Sequence, residues 1–282
     1  MSVVSVKIPA TTANIGPGFD CLGIALKVYN VVKVRKEKAS PSDAMIAGAG
    51  EAFFRRAKKK PFGFSCAIEG DVPRSRGMGS SVTVRLGVLH GLNRLAGDPL
   101  DPQGVFELCS ELEGHPDNAA PAAFGGFTIA RDGLGLQRYR VSDALSFVLL
   151  IPDFEVATAD ARKALPKTIP LKDAVVSAAN ACAIAGAFAS RDYEKLRGCF
   201  EDRLHQPYRE KLIHCLSKVI AAGIKAGALG GWLSGSGSTI ACLTGGSPNV
   251  VAQAMLKASG LPGAKMVITR ADNTGTRVSV GS

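Results

Sequence analysis

The chain has 282 residues, 46% of them apolar and 21% charged, and a formal charge of +10 at neutral pH. That length and apolar content fill the core of one large globular domain or two closely joined lobes and exclude a disordered or fibrous chain. The positive charge suits nucleic acid, an acidic surface or a polyphosphate, but aromatics are only 6% and the basic residues are dispersed, which weighs against nucleic acid.

Taken in chain order, two runs of β-type residues open the protein at 3–8 and 24–34, the second carrying Val28, Val31, Val32 and Val34. The intervening PATTANIGPGFDCLG reads as an ordered, glycine- and proline-rich loop. A helix is predicted over 43–59, closed by Arg55, Arg56, Lys58, Lys59 and Lys60, cations that complement a helix C-terminus. A strand at 64–69 leads into a glycine turn, and helices follow at 80–95 and 103–112.

The second half predicts strands at 127–130, 145–151, 230–233, 239–243 and 264–269, with helices at 172–189, 207–226 and 249–259. Several of these strands are too close together for crossover helices, so the sheets are expected to be largely antiparallel. A lobe boundary falls near Asp153, dividing the chain into 1–152 and 153–282. The alanine-rich stretch 174–189, interrupted by Ser177 and Asn180, reads as a buried helix too short to span a bilayer. MSVVSVKIPA shows no secretory pattern. Seven cysteines, an odd number with no C-x-x-C pair, read mostly as buried thiols of a reducing cytoplasm rather than a disulfide framework or zinc site.

The glycine turn has the layout of an anion cradle. Gly77 and Gly79 let the backbone approach a ligand, and Ser80 and Ser81 start the next helix, where N–H groups and the dipole favour phosphate. It is not a Walker A loop, because no lysine follows Gly79, nor a dinucleotide fingerprint, because Val82 stands where a third glycine belongs. Three other segments are richer in Gly, Asn, Asp and Ser than turns require: 9–20, EGHPDN at 113–118 and LSGSGST at 233–239. There is no H-E-x-x-H and no G-x-S-x-G, so metal-hydrolase and serine-hydrolase readings lack a carrier. His115 and His205 read as hydrogen-bonded loop residues, and Trp232 as packing beside the last glycine motif.

PATTANIGPGFDCLGIAL, EGHPDNAAPAAFGGF, TADARKALP and DRLHQPYR, in this order around the glycine turn, resemble the GHMP kinase superfamily and, within it, the homoserine kinases. The resemblance covers nearly the whole chain. It implies a two-lobed α+β fold, with a left-handed β-α-β unit in the N-terminal lobe and a ferredoxin-like C-terminal lobe. It implies ATP-dependent phosphorylation of the hydroxyl of L-homoserine to O-phospho-L-homoserine in threonine biosynthesis. The ligands would be ATP, Mg²⁺ and the small-molecule acceptor, with no nucleic acid or membrane partner, a cytoplasmic location and a homodimer.

Residue roles follow from the same resemblance. Pro73, Arg76, Gly77, Met78, Gly79, Ser80 and Ser81 would hold the ATP phosphates, and Ser80 or Ser81 with Glu113 would hold Mg²⁺, Glu111 standing in reserve. Asp20 would bind the ammonium of the acceptor, and Arg162 and Arg209 would clamp its carboxylate, which the forked guanidinium matches. Asn14 and Asn118 would orient the hydroxyl. Asn118 and Arg162 are the expected catalytic residues, together with Asp117, which acts as a base or holds the loop bearing Asn118.

Three departures qualify the match. Met78, Val82 and Thr83 replace a leucine and two alanines of the usual G-L-G-S-S-A-A, and the bulkier pair must pack where small residues are usual. Ser236 and Ser238 stand in for the alanine and proline of S-G-A-G-P-T, a change expected to loosen that loop. The stretch 36–43 is short, which touches base specificity. The alternatives are a related kinase for threonine or another hydroxy acid, or a catalytically weak homologue that binds nucleotide or metabolite.

Overall fold

The computed structural model describes residues 3–39, 41–131 and 135–281. Among the described residues ten strands form two sheets: β1 (Val3–Ala13), β2 (Leu22–Lys36), β3 (Phe64–Gly70), β4 (Phe127–Arg131), β5 (Gly135–Tyr139), β6 (Ser146–Ile151), β7 (Gly230–Leu233), β8 (Ile240–Thr244), β9 (Lys265–Thr269) and β10 (Arg277–Gly281). The α-helices described with them are α1 (Ala44–Ala57), α2 (Ser80–Leu95), α3 (Pro102–Glu113), α4 (Ala119–Phe124), α5 (Thr158–Lys163), α6 (Leu171–Ser190), α7 (Gln206–Arg209), α8 (Leu216–Lys225) and α9 (Pro248–Ser259).

The first sheet runs β10-β1-β2-β4-β5, with β3 also paired to β2. The second runs β7-β8-β6-β9, and the pairings in both sheets are antiparallel. In the second sheet a strand, a helical crossover, a hairpin, a helix and a last strand give the β-α-β-β-α-β order of a ferredoxin-like lobe. This is the two-lobed α+β architecture the sequence pointed to. Strand membership crosses residue 153: β6 lies before it and belongs to the second sheet, whereas the C-terminal β10 closes the edge of the first.

Strand β1 is longer than its apolar run. Residues 9–13, expected as loop, continue the strand past a bulge between Pro9 and Ala10 and pair with β2 through Thr11↔Ala25 and Thr12↔Ile24. Their polar side chains hid this, yet Thr11 and Thr12 are fully buried and hydrogen-bonded. The true loop is the short connection 14–21, pulled tight over the junction of the lobes.

One core lies under the first sheet, where Val4, Val6, Ile8, Val32 and Val34 meet α1 and α2 through Phe53, Leu86 and Leu89. A second cluster joins the lobes: Phe127 stacks on Phe188 at 4.2 Å, and Trp232 stacks on Phe200 at 5.3 Å and meets Phe147 edge-on. Aromatic pairs of this kind add to their area of burial. Trp232 therefore packs at the lobe junction, its indole N–H donating to Thr12 Oγ1 at 2.9 Å.

Three expectations need correction. The helix predicted over 207–226 is broken into α7, a 3₁₀ turn at Glu210–Leu212 and α8. The buried Gln206 accepts from the Leu233 amide and Arg209 donates to Ala161 and Gly235 carbonyls, tertiary bonds that take precedence over a continuous helix. Helix α6, expected to be buried, is largely exposed, with Leu171 81% accessible. By length and composition it could cross a membrane, but Ile184, Ala187 and Phe188 dock it on the lobe junction. Of the seven cysteines, all free, only Cys109 and Cys242 are buried.

Candidate active site

A cavity of about 500 Å³ opens between the lobes and gathers residues from the four polar segments. The glycine turn forms one wall. Gly79 is the N-cap of α2, with φ +68° and no side-chain cap, so the first turn of the helix presents its amides toward the cavity. A Cβ on Gly79 would stand 2.2 Å from Thr11 Oγ1, and one on Gly77 (φ +71°) 2.1 Å from the Ser234 carbonyl oxygen. Both positions require glycine on conformational and steric grounds.

Gly77, Gly79, Ser80, Ser81 and Arg76 line the cavity, together with Arg74 and Ser75. Arg76 donates to the carbonyls of Pro152 and Asp153 and pairs with Glu155, tying the turn to the second lobe. Pro73 and Met78 are not among the lining residues. Met78 is 1% exposed and points into the lobe junction, and its carbonyl accepts from the Thr11 amide.

The departures in this motif are accommodated by packing and hydrogen bonding. Val82 joins the core beneath the first sheet. Thr83, fully buried, donates to the Ser80 carbonyl at 2.7 Å and accepts from the Asn30 amide at 2.8 Å, so its hydroxyl is satisfied. The third glycine loop is also tied down. Ser238 donates to the Phe154 carbonyl at 2.7 Å, and Ser234 donates to Gly77, so a hydroxyl now holds the segment that a proline would have stiffened.

Glu113, at the end of α3, has a side chain only 8% exposed and accepts from Ser81 Oγ at 3.0 Å and from Arg85. Ser81 rather than Ser80 is the hydroxyl bonded to this carboxylate. Glu111 lies outside the cavity, paired with Arg56 on the surface.

The opposite end of the cavity is zwitterionic. Asp20 and Arg162 form a two-bond ion pair, at 2.9 and 3.1 Å. Arg209, 2% exposed, stands over the Phe19 ring at 5.1 Å and donates to the Ala161 and Gly235 carbonyls. Burial, and then the neighbouring Arg162, lower its pKa to about 10, so it remains a cation at neutral pH. His205 donates Nε2–H to the Gly16 carbonyl at 2.8 Å and accepts from Arg209 at Nδ1. Burial holds this imidazole below its ordinary value.

Asn14 lines the cavity, but both ends of its amide are engaged: Nδ2 donates to the Gly235 carbonyl and Oδ1 accepts from the Asp20 amide, each at 2.9 Å. Asn118 accepts at Oδ1 from Thr11 Oγ1 at 2.6 Å. Asp117, 1% exposed, accepts from His115 Nδ1 at 2.6 Å, and this bond raises the His115 pKa. His115, expected to be a loop residue, lines the cavity beside Asp20 and Asp117. It is a hydrogen-bonded loop residue, between Gly114 and Pro116, that also faces the cavity.

The family model for the GHMP kinases N terminal domain matches residues 44–126, and the model for the GHMP kinases C terminal region matches 184–260, together more than half of the chain. The chain belongs to the GHMP kinases. This GHMP kinase is 37% identical to the homoserine kinase of Caldicellulosiruptor bescii, over 98% of its own length and 97% of that protein. It is 39% identical to that of Gloeobacter violaceus, over 98% of each. The crystal structure of homoserine kinase from Cytophaga hutchinsonii superposes with a TM-score of 0.89 at 27% identity, covering 98% of this chain and 97% of that one. The mevalonate kinase of Methanococcus jannaschii shares the fold at 13% identity, with a TM-score of 0.71 over 95% and 98% of the two chains.

Proposed function

We propose that this GHMP kinase transfers the γ-phosphoryl group of ATP to the side-chain hydroxyl of L-homoserine, giving O-phospho-L-homoserine for threonine biosynthesis. The observation that carries this reading is the joining, in one cavity, of an uncapped helix N-terminus with a zwitterionic cluster of Asp20, Arg162 and Arg209. The first suits a triphosphate and the second an amino acid.

The acceptor enters by exchanging partners with the Asp20–Arg162 pair: its ammonium takes Asp20 and its carboxylate takes Arg162 and Arg209. Asn14, spent on Gly235 and the Asp20 amide, fixes the loop that carries Asp20 rather than the hydroxyl itself. Asn118 keeps its amide nitrogen for the acceptor oxygen, because Thr11 already occupies Oδ1. Asp117 is bonded to His115 and holds the imidazole at the cavity wall. Phosphoryl transfer has a loose transition state and gains most from alignment and positive charge, so a base is not required of Asp117.

The donor set fits magnesium: Glu113 supplies a sheltered carboxylate and Ser80 and Ser81 supply hydroxyls, all hard oxygens. When bound, the ion offers charge to the phosphate oxygens. The test is a coupled assay of ATP and GTP consumption across L-homoserine, L-threonine, L-serine and nitrogen-free alcohols, with ³¹P NMR of the product. Turnover with L-homoserine and a side-chain phosphate ester is expected. A preference for threonine or a nitrogen-free alcohol, or nucleotide binding without turnover, would overturn the assignment.

A further inference from the structure

Arg85 lies four residues after Ser81 on α2, so the two side chains share a face of the helix. They converge on one acid: Ser81 Oγ donates to Glu113 Oε2, and Arg85 Nη1 donates to Glu113 Oε1. Both oxygens of the carboxylate read above as the magnesium ligand are thereby engaged. Arg85 also lines the cavity, its side chain 23% exposed, and Glu113 is its only hydrogen-bonding partner among the described residues.

A divalent cation and a guanidinium on the same carboxylate compete, because each draws on its oxygens and the two positive charges repel at short range. We propose that Arg85 is a positioning residue with two states. Without the metal it balances the sheltered Glu113 carboxylate and holds its rotamer. When the cation takes Glu113, the displaced guanidinium turns to the triphosphate, adding a fixed positive charge beside the α2 amides. The proposal rests on the reading of Glu113 as metal ligand. It predicts that nucleotide is retained without divalent cation, because Arg85 then offsets the Glu113 charge that would otherwise repel the triphosphate, and that the metal binds less tightly than Glu113 and Ser81 alone would allow.

The test uses the full chain with a non-hydrolysable ATP analogue, measured by calorimetry in EDTA, and Mn²⁺ followed by electron paramagnetic resonance at saturating analogue. Arg85→Met keeps the apolar stem and removes the charge. Its metal-free Kd for the analogue is expected to rise by roughly fivefold and its Mn²⁺ affinity to increase by about threefold, with Arg85→Lys restoring part of the first effect. Should the Met variant fail to fold, Arg85→Gln carries the same expectations. Unchanged or weaker Mn²⁺ affinity in the charge-removed variant, with Glu113→Gln losing Mn²⁺ as it should, would overturn the competition while leaving the metal assignment standing. Wild-type Mn²⁺ affinity in Glu113→Gln would instead remove the metal assignment, and the proposal with it.

Discussion

The hydroxyl of Thr11, on β1, donates to the amide oxygen of Asn118, at the head of α4, at 2.6 Å in a buried pair separated by 107 residues of chain. The bond fixes which end of the Asn118 amide faces the cavity. Thr11 is also the atom group that a side chain on Gly79 would strike, so one threonine sets both the phosphate turn and the expected hydroxyl-orienting amide.

Thr11→Val preserves shape and removes the donor. Loss of a buried hydrogen bond of about 1 kcal/mol that matters mainly at the transition state should lower kcat roughly fivefold to tenfold. The Kd of a non-hydrolysable ATP analogue should stay within about twofold. Wild-type kcat would separate Asn118 from the reacting oxygen.

The two arginines should separate by stability. Arg162 is 40% exposed at its side chain, and Arg162→Ala should raise the L-homoserine KM by at least roughly tenfold while changing unfolding free energy by less than about 1 kcal/mol. Arg209 is 2% exposed and bonded to two backbone carbonyls, so Arg209→Ala should raise the KM and also destabilise by roughly 2–3 kcal/mol. Steady-state kinetics and urea denaturation of both variants check this. A normal KM in either variant takes that residue out of the carboxylate clamp.

Two glycines make a paired control. Gly79→Ala forces a side chain into a left-handed backbone and against Thr11, so ATP affinity should drop steeply and stability should fall by at least about 1–2 kcal/mol. Gly48, in the middle of α1 with open space where its Cβ would be, should instead gain about 0.5–1 kcal/mol on substitution by alanine. Thermal melts of both, with and without nucleotide, decide the matter, and stabilisation by Gly79→Ala would refute the geometry of the turn.

The pH dependence of stability should carry the mark of His205. Its imidazole is fully buried beside Arg209, and burial lowers its pKa from 6.5. The unfolded chain takes up that proton first, so the contribution is complete above pH about 6.5 and is lost as pH falls from there toward the folded value. His115, raised by its bond to Asp117, has the opposite sign: its contribution is complete below pH about 6.5 and is lost as pH rises through its folded value. Urea denaturation between pH 5 and 8 should show a shallower acid limb for His205→Gln than for wild type. Equal slopes would place the acid sensitivity elsewhere.

Local chemistry made much of this protein legible from its residues. The helix at 80–95 follows from a glycine turn and an apolar period, β7 from a short apolar run between glycines, and the anion cradle from Gly77 and Gly79, because each depends on backbone freedoms carried by a few adjacent residues. The motifs at 9–20, 113–118 and 233–239 named the segments that meet in the cavity. Tertiary structure decided what depends on partners distant in the chain. It made a strand of residues 9–13, whose Thr11 and Thr12 find their partners in Asn118 and Trp232, more than a hundred residues away, broke the helix at 207–226 so that Arg209 could be buried, and left α6 exposed because only one edge of it meets the core. It also joined Arg85 to Glu113 and His115 to Asp117, since a side chain's pairing and charge are fixed by what the fold brings within hydrogen-bonding distance, and no local pattern records that.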